Sequence, residues 1–548
     1  MRRGPRGALS IALYALAASA LATSWVFSLV GGGWASIDAV PVRITSWKIL
    51  RWIAMVVAIG LAIDPHRSRR AAAASEWFER NHRVVLGIGL LLAVLQFCLF
   101  KITQFMTFET GIDLTQSQYT IDAALRGRWR EVFGDVRSYL TVHFSPLHLL
   151  LAPIYAVFPS APTLLVLQGL AAAAAAAPLY GIARHARLSR PTSALVALAY
   201  LNSPILWRSF TFDFHIELFA PLFVFSTILA LLRKRWGWFY ALFFLTLSIK
   251  EETALVLFGA SLLILRVDRT AWRHALAAGA ITAAWTLLAV KVVMPWSDPN
   301  DVWASASMAR WSHLGDTKAG ALRALVGDPS LVARLLTSKP VRVLLFSLAG
   351  LPILEPTLLL AALPVLLIHL SSNYHVQSSL GVYYALPAMT LFFAATPLAL
   401  ATIARRVGPR VALAIVLAIV LVYPGSKWAK RVTERDRLEH RLLSSVPAHA
   451  RISAQSKLIP HLRISRTVWL FPERADADWV LLDARRTPWP LAPDAFRAEV
   501  HSVFEREDFG VVEHHDGIVF LRRAASRDRN AAVLAAVDSL STSGAVAR

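Results

Sequence analysis

Thirteen apolar runs dominate this chain, at about 8–30, 46–63, 84–103, 162–183, 190–207, 215–233, 236–250, 251–266, 271–294, 341–353, 355–371, 380–403 and 410–425. Each is long enough, or nearly so, to cross roughly 30 Å of hydrocarbon. Inside a bilayer every backbone amide must find its partner within the protein, and for separate apolar runs of this length that means helices. With 56% hydrophobic residues over 548, the chain is far richer in apolar side chains than one soluble core requires. The sequence therefore predicts an all-α polytopic membrane protein of about 13 transmembrane helices.

Charge sets the expected orientation. The net charge of +22 does not point to nucleic acid, because Arg and Lys fall in short clusters between apolar runs, as in RHARLSR (184–190) and RKR (233–235). That is the positive-inside pattern of cytoplasmic loops. The basic start MRRGPRG is read as cytoplasmic and the first run as a retained span, since no convincing small-residue cleavage site follows it. Residues 1–83 then form two N-terminal spans and a basic cytoplasmic loop. Residues 84–426 form the transmembrane core, with a first outward loop at 104–161. Crossing the bilayer at 144–158 would put RHARLSR outside, so that segment is expected to be re-entrant or juxtamembrane, capped by Ser145. After residue 426 charged residues become frequent. Short β-like runs at 467–471, 479–483 and 510–522, with a turn at Asp516-Gly517, predict a small extracytoplasmic α/β soluble domain over 427–526 and a polar tail with room for one short helix over 527–548. The single cysteine, Cys98, lies in an apolar run and excludes a disulfide framework or a thiolate cluster.

Five groups of polar residues gather on the outward side of this scheme. The loop string FETGIDLTQSQYTID carries Glu109, Asp113 and Asp122, suited either to a general base or oxygen ligation of a divalent cation, or simply to a solvated, helix-capping loop. His143 precedes Ser145-Pro146, where a helix N-terminus favours an anion. FTFDFHIELF places Asp213, His215 and Glu217 at the start of an apolar run; ionisable groups at that depth are costly and mark polar cavities. If a helix has begun there, Asp213 and Glu217 share a face. Ser248-Ile249-Lys250-Glu251-Glu252 puts a lysine outward, against the positive-inside bias; it suits either a lipid phosphate or an ion pair with Glu251 or Asp213. The last group is Tyr374, His375, Tyr383 and Tyr384, in positions also typical of interfacial anchors. A G-x-x-x-x-G-K-S/T loop, H-E-x-x-H and C-x-x-C are all absent, which argues against an ATP-driven pump or a zinc protease.

The string HFSPLHLLLAPIYAVFPSAPTLLVLQ, then FDFH, KEE, SAQSKLIPHL and ADWVLLD, resembles a large bacterial family of multi-spanning proteins known only as a domain of unknown function. The likeness covers roughly residues 85–490. That family is similar in layout to the C-type (GT-C) glycosyltransferases, which take sugars from polyprenyl-phosphate carriers at the outer face of the inner membrane. The resemblance implies an acid in the first outward loop as base or metal partner, a position matched by Glu109 or Asp113. Here the loop departs from the FDxGxxDQ-like string of relatives, with Glu109 at the first acid and Thr115 at the second. The expectation is a glycosyltransferase-like protein in which Glu109 or Asp113 activates an acceptor hydroxyl. His143, Asp213, His215, Glu217, Lys250, Glu251, His375 and Tyr384 would bind substrate, with His215 and Lys250 holding the lipid phosphate. Alternatives of other classes are a transporter or flippase with Asp213, Glu217 and Lys250 along its path, or an inactive scaffold. The lipid bilayer is the one partner that composition itself requires.

Overall fold

The computed structural model describes residues 69–542 apart from 129–131, 134, 135, 138, 298–307, 423–426, 428, 463–466, 475 and 507, together with the short paired strands Ala35–Ile37 and Val40–Val42. The expected spans 8–30 and 46–63 and the end of the tail lie outside the described residues.

The chain is mostly helical, as its apolar runs require. Four helical stretches among the described residues are long and apolar enough to cross a membrane: Glu79–Met106, Ala161–His185, Arg269–Ser297 and Leu386–Arg406. Shorter apolar helices, among them Trp236–Leu247, Thr253–Val267 and Pro356–Leu370, pack between them. The expected count of about 13 is thus not established. Run 341–353 departs most: it breaks into the eight-residue helix Lys339–Phe346, rising roughly 12 Å, and the 3-10 turn Leu351–Leu354, because Gly350 takes a left-handed φ of 70° and Pro352 follows. Run 190–207 likewise divides at Asn202-Ser203, where Ser203 and Pro204 start a new helix over Pro204–Phe210. Segment 144–158 forms the helix Leu147–Val157, which at eleven residues reaches only about 16 Å.

Small residues bring helices close. A Cβ at Gly259 would lie 2.0 Å from Ala361 Cβ, so Thr253–Val267 and Pro356–Leu370 touch backbone to backbone. The long helix Arg69–Met106 packs on Ala161–Ala174 and Arg190–Leu201. Its buried Lys101, an expensive group in an apolar helix, donates to the carbonyls of Phe212 at 2.7 Å and Asp213 at 3.3 Å. Gln104 adds a bond to Thr211 O at 2.7 Å. Both serve carbonyls released where helix Pro204–Phe210 ends.

After the core comes a five-stranded sheet in the order Val468–Leu470, Ile452–Ala454, Trp479–Asp483, Ile518–Arg523, Phe509–His515. The first three strands run parallel and the last two are antiparallel. Asp516 and Gly517, at φ 48° and 86°, make the tight turn between the final pair. Helix Glu434–Ser445 opens with a capping box in which Thr433 and Asp436 bond reciprocally. The residues expected as a polar tail include helix Asn530–Thr542, whose Val533 and Val537 pack into the sheet core and whose Asn530 bonds Val511 N and Phe509 O. That helix belongs to the sheet unit.

Candidate functional site at the meeting of five loops

The polar strings singled out above are stapled to one another in pairs. Asp213 accepts from Gly111 N and from Phe214 N, both at 2.8 Å, which ties FDFH to FETG. Gly111 suits this approach, because a Cβ there would stand 3.2 Å from Asp213 Oδ2 and 3.1 Å from Ser456 Oγ. Ser145 Oγ donates to Ile249 O at 2.6 Å, and Leu147 N to Ser248 O at 2.7 Å. Glu251 accepts from Phe144 N at 2.9 Å and sits 2.7 Å from His143 Nδ1. These four contacts bind HFSP to SIKEE. Ser145 is therefore not the expected helix cap; its hydroxyl is spent on the neighbouring loop, and Pro146 takes the cap position before the helix begins at Leu147.

Between these staples runs a line of alternating charge. Asp113 Oδ2 lies 3.4 Å from His215 Nε2, His215 Nδ1 3.5 Å from Glu217 Oε2, and Glu217 Oε1 2.8 Å from Lys250 Nζ, with Glu252 a further 3.7 Å on. Exposure falls to the two ends: the Asp113 side chain is 33% exposed and that of Glu252 18%, whereas those of Glu217 and Lys250 between them are 2% and 3% exposed. Tyr383 stacks on His215 with ring centroids 3.8 Å apart, and Lys250 Nζ lies 5.8 Å from the same ring. Asp213 and Glu217 do not share a helix face as expected, since the chain enters a 3-10 turn only at Ile216 and an α-helix only at Ala220. Lys250 pairs with Glu217 rather than with Glu251 or Asp213. Its charge is consumed by that pair, so it does not present the free cation that a lipid phosphate would need.

Several polar atoms here have no hydrogen-bond partner within the protein: both ring nitrogens of His215, Glu217 Oε2, Thr110 Oγ1, Thr115 Oγ1 and His369 Nε2. Buried groups left this way are uncommon and cluster where something else completes them. His369 Nδ1 is 3.2 Å from Gln377 Nε2, and Gln377 and Tyr384 both accept from Arg310, at 3.2 and 3.4 Å. Tyr384 is thus joined to the site through Tyr383, whose hydroxyl is 3.2 Å away. Glu109 and His375 stand apart. Glu109 forms an ion pair with Lys430 and leaves its carbonyl to Lys457 Nζ at 2.7 Å; His375 is exposed in a separate cavity. Lys101, Gln104 and Arg310 escaped the sequence reading, and Tyr383 and Glu252 lie in the strings it singled out but were not among the residues expected to bind substrate. Lys101 alone carried a usable signal, a cation within an otherwise apolar run.

The C-terminal domain closes one side. Arg486 Nη1 donates to Thr107 O at 2.8 Å, and His440 Nε2 is 3.3 Å from Met106 O. Phe105 and Phe108 pack on the rings of His440 and His461. Burial, together with His440 and Arg486, holds His461 well below the usual imidazole range, so it serves this contact as a neutral ring. The donor set does not suit a divalent cation. Among the described residues no group of three or more His, Cys, Asp or Glu is placed to hold one, and the buried carboxylate Glu217 already faces a lysine and an imidazole.

A family model described as "Predicted membrane protein (DUF2079)" matches residues 106–520. The chain belongs to that family. No curated protein matches it. The match makes this a membrane protein of a domain family without assigned function, and all of the stapled loops, from FETG to SAQSK, lie inside the matched region. Of the polar residues described above, only Lys101 and Gln104 fall before it.

Proposed function

We propose that this protein transfers a group from a lipid-phosphate carrier, as a GT-C-like glycosyltransferase working at the outer face of a bacterial inner membrane, with Asp113 as general base. One observation carries the reading: Asp113 is the water-reaching end of a buried acid–imidazole–acid–ammonium line. A carboxylate that takes a proton from an acceptor hydroxyl must touch solvent or acceptor on one side and be held in place on the other. Of the two candidate bases, Asp113 meets both needs, whereas Glu109 is committed to Lys430. His215 orients Asp113, and Glu217 and Lys250 hold His215. On this reading the C-terminal domain lies outside and closes over the first loop.

Membranes containing the chain test it directly when supplied with a panel of polyprenyl-phosphate sugars, with release of polyprenyl phosphate as the readout. Asp113→Asn should lower release by roughly 10²–10⁴-fold, the usual worth of a general base, at unchanged protein level, and Glu109→Gln should lower it far less. No release above control membranes with any donor would sink the transferase reading.

A further inference from the structure

We infer that the cavity between helices Pro204–Phe210 and Lys339–Phe346 and the loop at 375–385 is a binding site for the phosphate head of an amphiphilic lipid. Its volume, about 530 Å³, falls within the roughly 300–1,000 Å³ typical of small-ligand sites. Ile205, Val343 and Leu380 give it an apolar wall, and Arg208, Lys339 and His375 give it nitrogen donors. These three side chains are exposed, and among the described residues none of them faces a carboxylate partner. That sets them against Lys250, whose ammonium is neutralised by Glu217 at 2.8 Å. Ser378 and Ser379 add hydroxyls to the same rim.

Two unpaired cations at an apolar wall suit a ligand that is anionic at one end and greasy at the other. Inorganic phosphate would leave the wall unused, and a neutral alkyl chain would leave the cations unused. The ground around the cavity has the same character. Along 318–346, Leu322, Val326 and Phe346 are exposed beside exposed Arg323, Arg334 and Arg342, the mixture by which helices lie on an anionic bilayer surface. The cavity also shares its loop with the charge line. Leu380 and Ala385 line the cavity, Tyr383 stacks on His215, and Ser209 Oγ fixes the turn between by donating to Val382 O at 2.8 Å. A lipid head held here is thus one loop away from Asp113–Lys250, yet its binding does not depend on that line being catalytic.

The test uses the full chain in an uncharged detergent, titrated with farnesyl phosphate, dioleoylphosphatidylglycerol, farnesol and inorganic phosphate, with binding read by native mass spectrometry and thermal shift. Expected are saturable binding of one or both phosphate-headed lipids, at least tenfold tighter than farnesol or inorganic phosphate. Arg208→Gln with Lys339→Gln should weaken this at least tenfold, while Arg208→Lys with Lys339→Arg retains most of it and reports that the fold is intact. Preference for farnesyl phosphate assigns a polyprenyl-phosphate head and preference for the glycerolipid a bilayer lipid. Equal binding of inorganic phosphate or farnesol, or full binding by the glutamine pair, overturns the site. Asp113→Asn should leave lipid binding unchanged, so loss of the transferase reading and loss of this site are separate outcomes.

Discussion

Two buried ion networks in this molecule are built to opposite standards. In the C-terminal domain Arg435 grips Asp483 with both arms of its guanidinium, at 2.9 and 2.7 Å, and Arg486 reaches Asp483 at 2.9 Å, Asp436 at 3.1 Å and Glu439. Such forks saturate the carboxylates and fix one geometry. In the membrane core the His215 contacts are long, 3.4 and 3.5 Å, and its nitrogens and one oxygen of Glu217 remain without hydrogen bonds. Both networks carry the desolvation cost of buried charge. Only the first uses its full bonding capacity, as a structural clamp does; the second keeps capacity in reserve, as a site does. The difference is therefore between loss of fold and loss of activity when each is broken.

The largest effect is expected from neutralising the line without leaving a bare charge. Glu217→Gln with Lys250→Met should reduce turnover by more than about 10²-fold while the protein accumulates in membranes at the wild-type level. Full activity in this pair would make the line structural and erase the contrast. Next comes Arg486→Met, which strands Glu439, Asp436 and part of Asp483. Removal of one partner from a buried pair costs on the order of 3–5 kcal/mol, so the melting point of the C-terminal domain should drop by many degrees. A drop of less than a degree or two would show that the fork is not the clamp.

Legibility followed the same division. The helical membrane class was written in run length and charge placement, and the hairpin at Asp516-Gly517 in two residues. The motif strings also identified most of the charge line, because Asp113, His215, Glu217 and Lys250 are individually costly where they stand. Their pairing was not legible. Whether Lys250 meets Glu251, Asp213 or Glu217 depends on a 3-10 turn that delays helix onset to Ala220, and no local pattern announces it. The strand Ile452–Ala454 was missed because it is three residues long and buried on every side. Helix Asn530–Thr542 fits the short helix allowed in the tail, but its docking on the sheet was not legible because Val533 and Val537 are its main core contacts in a mostly small and polar stretch.

A smaller effect concerns pH. Burial first, and then the Asp483 carboxylate, raise the Glu439 carboxyl to about 7 despite Arg486 beside it, against about 4.3 for a free glutamate. A carboxyl raised on folding gives its stability in full below the unfolded value and loses it as pH climbs through the folded one. The domain should therefore lose on the order of 3 kcal/mol between about pH 4 and pH 8 from this group. Glu439→Gln should flatten the slope; a slope that persists would place the titration elsewhere.

The smallest expected effect separates the staples from the line they hold. Ser145 Oγ donates to Ile249 O at 2.6 Å and stands 2.9 Å from His148 Nδ1, fully buried. Ser145→Ala removes the donor and leaves a buried carbonyl with less than its due, a loss of about 1–3 kcal/mol. Glu251 still accepts from Phe144 N, and Leu147 N still reaches Ser248 O, so the loop stays docked by its remaining contacts. The thermal midpoint of the purified chain should fall by a few degrees, and turnover should fall by less than about tenfold, because the Asp113–His215–Glu217–Lys250 distances do not run through Ser145. If Ser145→Ala instead abolished turnover at an unchanged midpoint, the hydroxyl would belong to the reacting site. The HFSP loop would then count with the line and not with the scaffold that positions it.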